Sequence, residues 1–561
     1  MATKAVAGSM FGQERPCAGA IVHRCNSGTD GYLEGRMRLL LALFVLLAAS
    51  SARAERFLLV PLDNRPATGQ FAQMIGKIGG AEVLTPPNTT LGHFTIPGSP
   101  EAILNWMARQ DLSKFDAILV STDMICYGGL IQSRQSSVSA EMANRRLARL
   151  LTIVKKTSKP KLYLYSSVMR LAPTATFAAA RYRMSLARYA ELRSLGTGNP
   201  EVEREMKSLL AQIPAGALKD YAQARTRNHI VQKNLVGIAA DRRVEYLIFG
   251  QDDASPQGPH VAETQALRRA AAATNATAKV GFCEGIDQLP CLLVSRALLS
   301  SRGWVPKIHT VLSDPNGGGK VATYESKPLR ESILDQILTS GARPASTPEE
   351  ADYTVYINSP QRPHNSFLTF LDLLQKELDS GKPVAVADTN FSRAGTADPA
   401  LYGALMDRGR AMKLLSYAGW NTAGNTLGTT IPAANVHLLS RRNQASSLAT
   451  ELAQKQFMLH RLANDFSFHT FTRPIAFGMV EGPRRDEVYG KPWDDINNFV
   501  QRDLSKQLSR TFHDHFLGRR FEAGGQTYKF SGLTDVSIEL PWPRPWEVRL
   551  NFDLRATLAD D

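Results

Sequence analysis

The sequence predicts an α/β protein, and three observations carry the prediction. Short runs rich in Leu, Ile and Val recur without clean polar alternation, as strands buried on both faces require. Stretches with helical apolar spacing, such as Pro100-Glu101-Ala102-Ile103-Leu104-Asn105-Trp106-Met107, separate them. The apolar runs also end in acid or amide tips: Asp63-Asn64, Asp123, Asp252-Asp253 and Asp388-Thr389-Asn390. Strand and helix in alternation imply a parallel sheet or barrel. The expected architecture is a parallel-sheet or TIM-barrel-like N-terminal domain, a second Rossmann-like α/β domain and a small mixed C-terminal cap.

The elements follow in order. Residues 1–36 show no periodicity, and Met37 is the better start. Arg38 precedes the apolar run Leu39–Ala49, followed by Ala52-Arg53-Ala54, which reads as a secretory signal peptide cut near Ala54. A periplasmic or secreted protein is expected. The run is short for a bilayer span, so no permanent membrane span is expected, with an uncleaved anchor as the alternative. Residues 55–303 form the first α/β domain, with strands at 56–61, 81–84, 116–122, 161–166, 245–250 and 278–282. A helical insertion at 174–240, rich in Ala, Arg, Leu and Glu, either roofs the strand tips or stands as a solvated helix pair. Residues 304–440 form the second domain, with strands at 307–313, 353–358, 383–388 and near 413–417, and a helix at 328–337. Residues 441–561 begin with a helical stretch at 441–465 and end in a Pro- and Trp-rich tail around Pro541-Trp542-Pro543, read as edge strands and a cap.

At 561 residues, 43% hydrophobic and 21% charged, the chain has the composition of a globular protein with a large core. Its formal net charge of +14 comes from scattered basic residues without a long run or aromatic interleaving, so the sequence does not support nucleic-acid binding. Beyond the signal segment lie Cys126, Cys283 and Cys291. In an oxidising compartment Cys283 and Cys291 are close enough in sequence to pair, leaving Cys126 free and buried.

In parallel sheets, ligands bind outside the carboxyl ends of the strands, so the polar tips are the candidate site. Asp252 and Asp253 follow a buried strand directly. Two ionised carboxylates there need cations, a metal or a shared proton, and adjacent acids whose pKa values split supply a general acid and an orienting partner. The alternative is an acid capping the next helix. Asp63 and Asp123 are further site carboxylates. Arg65, with Asn64 beside it, either clamps an anionic group in two-point fashion or neutralises Asp63. His260 is an acid, a base, a ligand or a hydrogen-bonded structural histidine. Asp388, Asn390 and Arg393 repeat the acid-amide-base theme, with turn and cap roles as the alternative. The segment Tyr417–Gly428 offers Trp420 as an aromatic platform, with Asn421 and Asn425 reading hydroxyls. Close packing through its small residues is the other reading.

Three segments together, Pro61-Leu62-Asp63-Asn64-Arg65-Pro66, Gly250-Gln251-Asp252-Asp253 and Ala418–Gly428, resemble bacterial domain-of-unknown-function family 4127 over nearly all of the mature chain. The resemblance implies an exported single-chain protein and assigns no activity and no catalytic residue. The residues themselves point to an exported hydrolase acting on a cell-envelope or environmental glycan without a metal. Its catalytic residues would be Asp252, Asp253, Asp63 and Asp123, and its substrate contacts Arg65, Asn64, His260, Asp388, Asn390, Trp420, Asn421 and Asn425. One alternative is a metal-dependent hydrolase in which Asp63, Asp123, Asp252 and His260 gather Mg²⁺, Mn²⁺ or Zn²⁺. Another is a non-catalytic periplasmic protein that closes two α/β domains on a sugar or peptide.

Overall fold

A computed structural model describes residues 54–559 apart from 197, 242–243, 393–394, 443–445 and 481–486, with residue 408 described by its backbone alone. The signal segment and Arg393 lie outside the described residues. Among the described residues, eleven strands form two parallel sheets. The first contains β1 (Arg56–Val60), β2 (Glu82–Leu84), β3 (Ala117–Ser121), β4 (Lys161–Val168), β5 (Tyr246–Gln251) and β6 (Val280–Glu284), in the order β2-β1-β3-β4-β5-β6. Its central strands are continuous apolar runs because both faces are covered: every residue of β3 and of β5 is buried. The register pairs Leu58 with Ile118 and Leu247 with Val280.

The sheet is open, with β2 and β6 at its edges, so the barrel alternative does not hold. After β1 the chain steps outward to the three-residue β2 and then returns to the opposite side of β1 for β3. A barrel requires strands added in one direction until the ends meet. The reversal puts a topological switch point between the carboxyl ends of β1 and β3, the place where open α/β sheets bind ligands.

The second sheet contains β7 (Lys307–Leu312), β8 (Arg343–Pro344), β9 (Tyr353–Asn358), β10 (Val384–Asp388) and β11 (Ser416–Ala418), in the order β11-β10-β9-β7-β8. Counted from its own first strand, it is wound as the first five strands of the other sheet are, with its reversal between β7 and β9. The helix Ala423–Arg441 packs against both halves: it meets the helices Gln70–Ile78 and Leu289–Ser301 on one side and β10, β11 and the helix Leu329–Thr339 on the other. This central position explains its glycines and alanines. A Cβ on Gly424 would collide with the backbone of Glu284 at the end of β6.

Helices Arg183–Ser194, Pro200–Leu210 and Ala215–Ala240 lie between β4 and β5. Pro200–Leu210 buries no residue, whereas Ala215–Ala240 buries Arg225, Arg227 and Asn228 among its contacts. Towards the C-terminus, the helix Leu448–Arg461 runs into the π-helical segment Leu462–Thr472. The chain ends in the antiparallel sheet β12 (Arg520–Ala523), β13 (Gln526–Glu539) and β14 (Arg549–Leu558). The turn from β12 to β13 is Gly524-Gly525 with φ of 58° and 77°, the double positive φ that a two-residue hairpin of matching twist demands. Pro541–Pro545 fall in the connection between β13 and β14 rather than within a strand. Cys126, Cys283 and Cys291 are all free and buried, so Cys283 and Cys291 do not form the disulfide their spacing allows. Cys283 lies on β6 and Cys291 inside the following helix, both within one buried apolar cluster. No helix among the described residues is long and apolar enough to cross a membrane.

Candidate active site

The polar tips beside β1 gather around one guanidinium. Arg65, in the loop after β1, donates from Nε and Nη2 to Asp63 at 2.8–3.1 Å, and from Nη1 and Nη2 to Asp287 at 3.1 and 2.8 Å. Asp63 also accepts from the Arg65 backbone N–H at 3.0 Å and the Thr68 hydroxyl at 3.2 Å, whereas Asp287 accepts, among the described residues, from Arg65 alone. One positive charge therefore faces two buried carboxylates, and Asp287 is the less well satisfied. Burial, then the neighbouring charges of Asp63 and Asp252, raise the Asp287 pKa to about 6 against the pull of Arg65. The planar fork is held from the other side by Trp542, whose ring lies 4.8 Å from the guanidinium. Trp542 Nε1–H in turn donates to Asn64 Oδ1 at 2.6 Å, and Arg549 donates to the Asn64 carbonyl at 2.6 Å. The C-terminal cap thus reaches across to fix the β1 loop.

The tips of β4 and β5 supply two more ion pairs. Arg134 donates to Asp252 from Nε at 3.1 Å and Nη2 at 2.5 Å, and to the Thr174 hydroxyl from Nη1 at 3.0 Å. Asp252 also accepts from the Asp253 backbone N–H at 2.9 Å. These bonds and the charges of Arg134 and Arg170 outweigh burial and hold the Asp252 pKa below the usual range. Asp253 is bonded to Arg170, and this pair is the open part of the cluster, with side chains 28% and 18% exposed against about 5% for Asp252 and Arg134. Successive residues leave the strand in opposite directions, and the chain turns at Asp252, so each acid meets its own arginine. Arg225 of the long insertion helix donates to the carbonyls of Met169 and Arg170 at 3.1 and 2.9 Å and to Glu263, which fixes the backbone that carries Arg170. Tyr324, from the loop that follows β7, lies over this edge. Its carbonyl accepts from Ala254 N–H at 2.9 Å, its φ is +66°, and its side chain is exposed.

The other predicted residues have different surroundings. Asp123 sits at the same sheet edge but faces inward: it is 1% exposed and accepts from the Ser167 backbone N–H and hydroxyl at 2.8 and 3.2 Å. Burial lifts its pKa to about 7. His260 is fully buried with Nε2 against the Ser255 carbonyl at 2.8 Å, and burial lowers its pKa. Asp63, Asp123, Asp252 and His260 thus have separate partners. No three His, Cys, Asp or Glu side chains among the described residues are grouped to hold a metal ion.

Asp388 and Asn390 belong to the second sheet. Asp388 accepts from Asn358, the Asn390 backbone and the Asp398 backbone at 2.9, 3.2 and 2.6 Å, and burial raises its pKa to about 7. Asn390 bridges Asp398 and the Gln361 backbone. Trp420 is only 7% exposed. It meets the Phe71 ring edge-on at 5.4 Å, and its Nε1–H donates to Thr429, so no ring face is offered to solvent as a platform. Asn421 is exposed at a φ of +59°, and Asn425 is buried in the first turn of the central helix. The sequence reading did not single out Arg134, Arg170 or Asp287. The rule that found Asp252 points first to Glu284, two residues past the strand predicted at 278–282, and reaches Asp287 only three residues later.

No curated protein and no solved structure matches the chain. A family model described as "Protein of unknown function (DUF4127)" matches residues 57–551, a span that contains both parallel sheets but for Arg56, the whole Asp–Arg cluster and the three motifs at Pro61–Pro66, Gly250–Asp253 and Ala418–Gly428. The chain belongs to the DUF4127 family.

Proposed function

We propose that the carboxyl edge of the first sheet is the active site of an exported hydrolase acting on a glycan, with Asp287 as general acid. The observation that carries this reading is the sharing of Arg65 between Asp63 and Asp287, which with burial leaves Asp287 able to hold a proton up to about pH 6. In the reaction, Asp287 gives its proton to the leaving glycosidic oxygen as the carbon–oxygen bond breaks. A water oxygen bonds to the same carbon, and Asp253, held by Arg170 at the open side, takes the proton that water loses. Asp63 and Asp252 keep Arg65 and Arg134 in place and touch no substrate. The exposed Tyr324 ring is suited to stack against a sugar face.

The test is release of reducing ends from a panel of envelope and environmental glycans by the wild-type chain and by Asp287→Asn and Asp253→Asn. Turnover by wild type and its loss in both folded variants supports the reading. Binding of a sugar without turnover in all three proteins would leave a non-catalytic binding protein, and turnover unchanged in Asp287→Asn would remove Asp287 from the chemistry.

A further inference from the structure

The seam where the end of β6 meets the central helix holds a second polar group, separate from the Asp–Arg cluster. Gln288 and Gln336 both donate their side-chain N–H to the Glu284 carbonyl, at 2.7 and 2.8 Å, which fixes the orientation of both amides. Their Oε1 atoms are left buried without a hydrogen-bond partner, and so are Asn425 Oδ1, Glu325 Oε2 and Ser332 Oγ. All five residues are at most 3% exposed. The oxygens come together from several elements. A point one bond out from Gly285 lies 2.7 Å from Gln288 Oε1 and 3.0 Å from Asn425 Oδ1. The corresponding point at Gly428 lies 2.6 Å from Gln336 Oε1. Ser332 and Gln336 are one helical turn apart and share a face. The Gly424 backbone N–H donates to Glu325 Oε1, which brings that carboxylate beside Asn425 with Oε2 free.

Buried acceptors without donors cost about 1–3 kcal/mol each, so the three amide oxygens and the Glu325 carboxylate, with only the Ser332 hydroxyl beside Glu325 to donate, call for a positive centre. Lys327 acts on Glu284 and Glu325 through space but is itself engaged. Glu284 is bonded by the Ser326 hydroxyl and N–H, and Lys327 is bonded to Asp335. We propose that the seam binds one hard monovalent cation, Na⁺ or K⁺, held by Glu325 Oε2 with the side-chain oxygens of Asn425, Gln288, Gln336 and Ser332. Carboxylate, amide and hydroxyl oxygens are the donors such ions take, and one unpaired carboxylate matches one positive charge. The bound ion ties β6 of the first sheet to the helix Leu329–Thr339 and to the helix shared by both sheets.

The test is thermal unfolding of the full chain at pH 8 in sodium, potassium and choline chloride at matched ionic strength. A saturable rise in Tm of about 2 °C in sodium or potassium over choline is expected. That rise should be lost in Glu325→Gln and reduced in Asn425→Leu. Equal Tm in all three salts overturns the proposal and leaves the oxygens to buried water, as does a rise that survives in both variants. If neither variant folds, crystals of the wild-type chain soaked in a thallous salt decide: an anomalous peak between Glu325 and Asn425 supports the site, and its absence overturns it.

Discussion

The two parallel sheets are wound alike and both end in acid and amide tips, yet the tips are held in different ways. At the first sheet, arginines from loops far apart in sequence neutralise the acids, and the Asp253–Arg170 pair stays partly open. At the second, Asp388 and Asn390 are saturated by backbone N–H groups, by Asn358 and by Asp398, which also caps the helix Pro399–Met406. The first arrangement leaves an ion pair partly open to solvent, whereas the second closes a turn. An acid at a strand tip is therefore a marker of position, and the partner it finds decides whether it can do chemistry.

Substitutions that separate the two edges test this contrast. The largest effect is expected on turnover: Asp287→Asn should lower kcat/KM on any glycan substrate by about 100-fold or more, the usual contribution of a general acid, while far-ultraviolet circular dichroism stays unchanged. Asp388→Asn should leave kcat/KM within about twofold, a clear contrast between the edges, because Asp388 touches no part of the Asp–Arg cluster. The stability effects rank next. Asp252→Asn strands Arg134 in the interior and should cost about 3–5 kcal/mol in urea unfolding, whereas Asp388→Asn gives up one hydrogen bond and should cost about 1–3 kcal/mol. Equal costs would erase the distinction between charge-paired and backbone-capped acids.

The pH dependence is smaller but has a definite sign. The Asp287 pKa is raised to about 6 in the folded chain, so the proton it binds favours folding. Its contribution is full below about pH 4 and is lost as pH rises through about 6, on the order of 3 kcal/mol, and Asp287→Asn should remove that decline from the pH profile of stability. His437 gives the opposite slope. Burial lowers its pKa to about 4, so stability falls as pH drops from 6.5 through about 4, and His437→Gln should flatten that limb. The smallest expected effect is that of Trp542→Phe, which keeps the ring beside Arg65 but loses the bond to Asn64 and should cost about 1 kcal/mol.

Much of the secondary structure was legible in the sequence because strands buried on both faces leave continuous apolar runs: the strand predicted at 353–358 is Tyr353–Asn358, and that at 307–313 is Lys307–Leu312. The choice between barrel and open sheet was not legible, since it depends on which side of β1 the chain returns to, and composition does not record that. The same limit governs the site. Asp63, Asp252 and Asp253 stood out as strand tips, but Arg134 follows a short helix and Arg170 follows a strand that runs two residues beyond its predicted end. Neither arginine carries a local signal, and only the fold brings them to the acids. Trp420 shows the converse. Its neighbouring glycines and alanines suit both a ligand platform and a tight helix contact, and the ring is enclosed because the central helix needs that space to touch both sheets.

The central claim is that the Asp287 carboxyl, beside Arg65, keeps its proton up to about pH 6. Carbon-13 NMR titration of aspartate-labelled wild type and Asp287→Asn measures it without any substrate. The expected result is a carboxyl that titrates near pH 6 in the wild type and is missing from the variant, while the other buried aspartates raised by burial, Asp465 to about 6 and Asp123 and Asp388 to about 7, titrate in both. A wild-type spectrum in which that same carboxyl titrates at or below the ordinary aspartate range would contradict it.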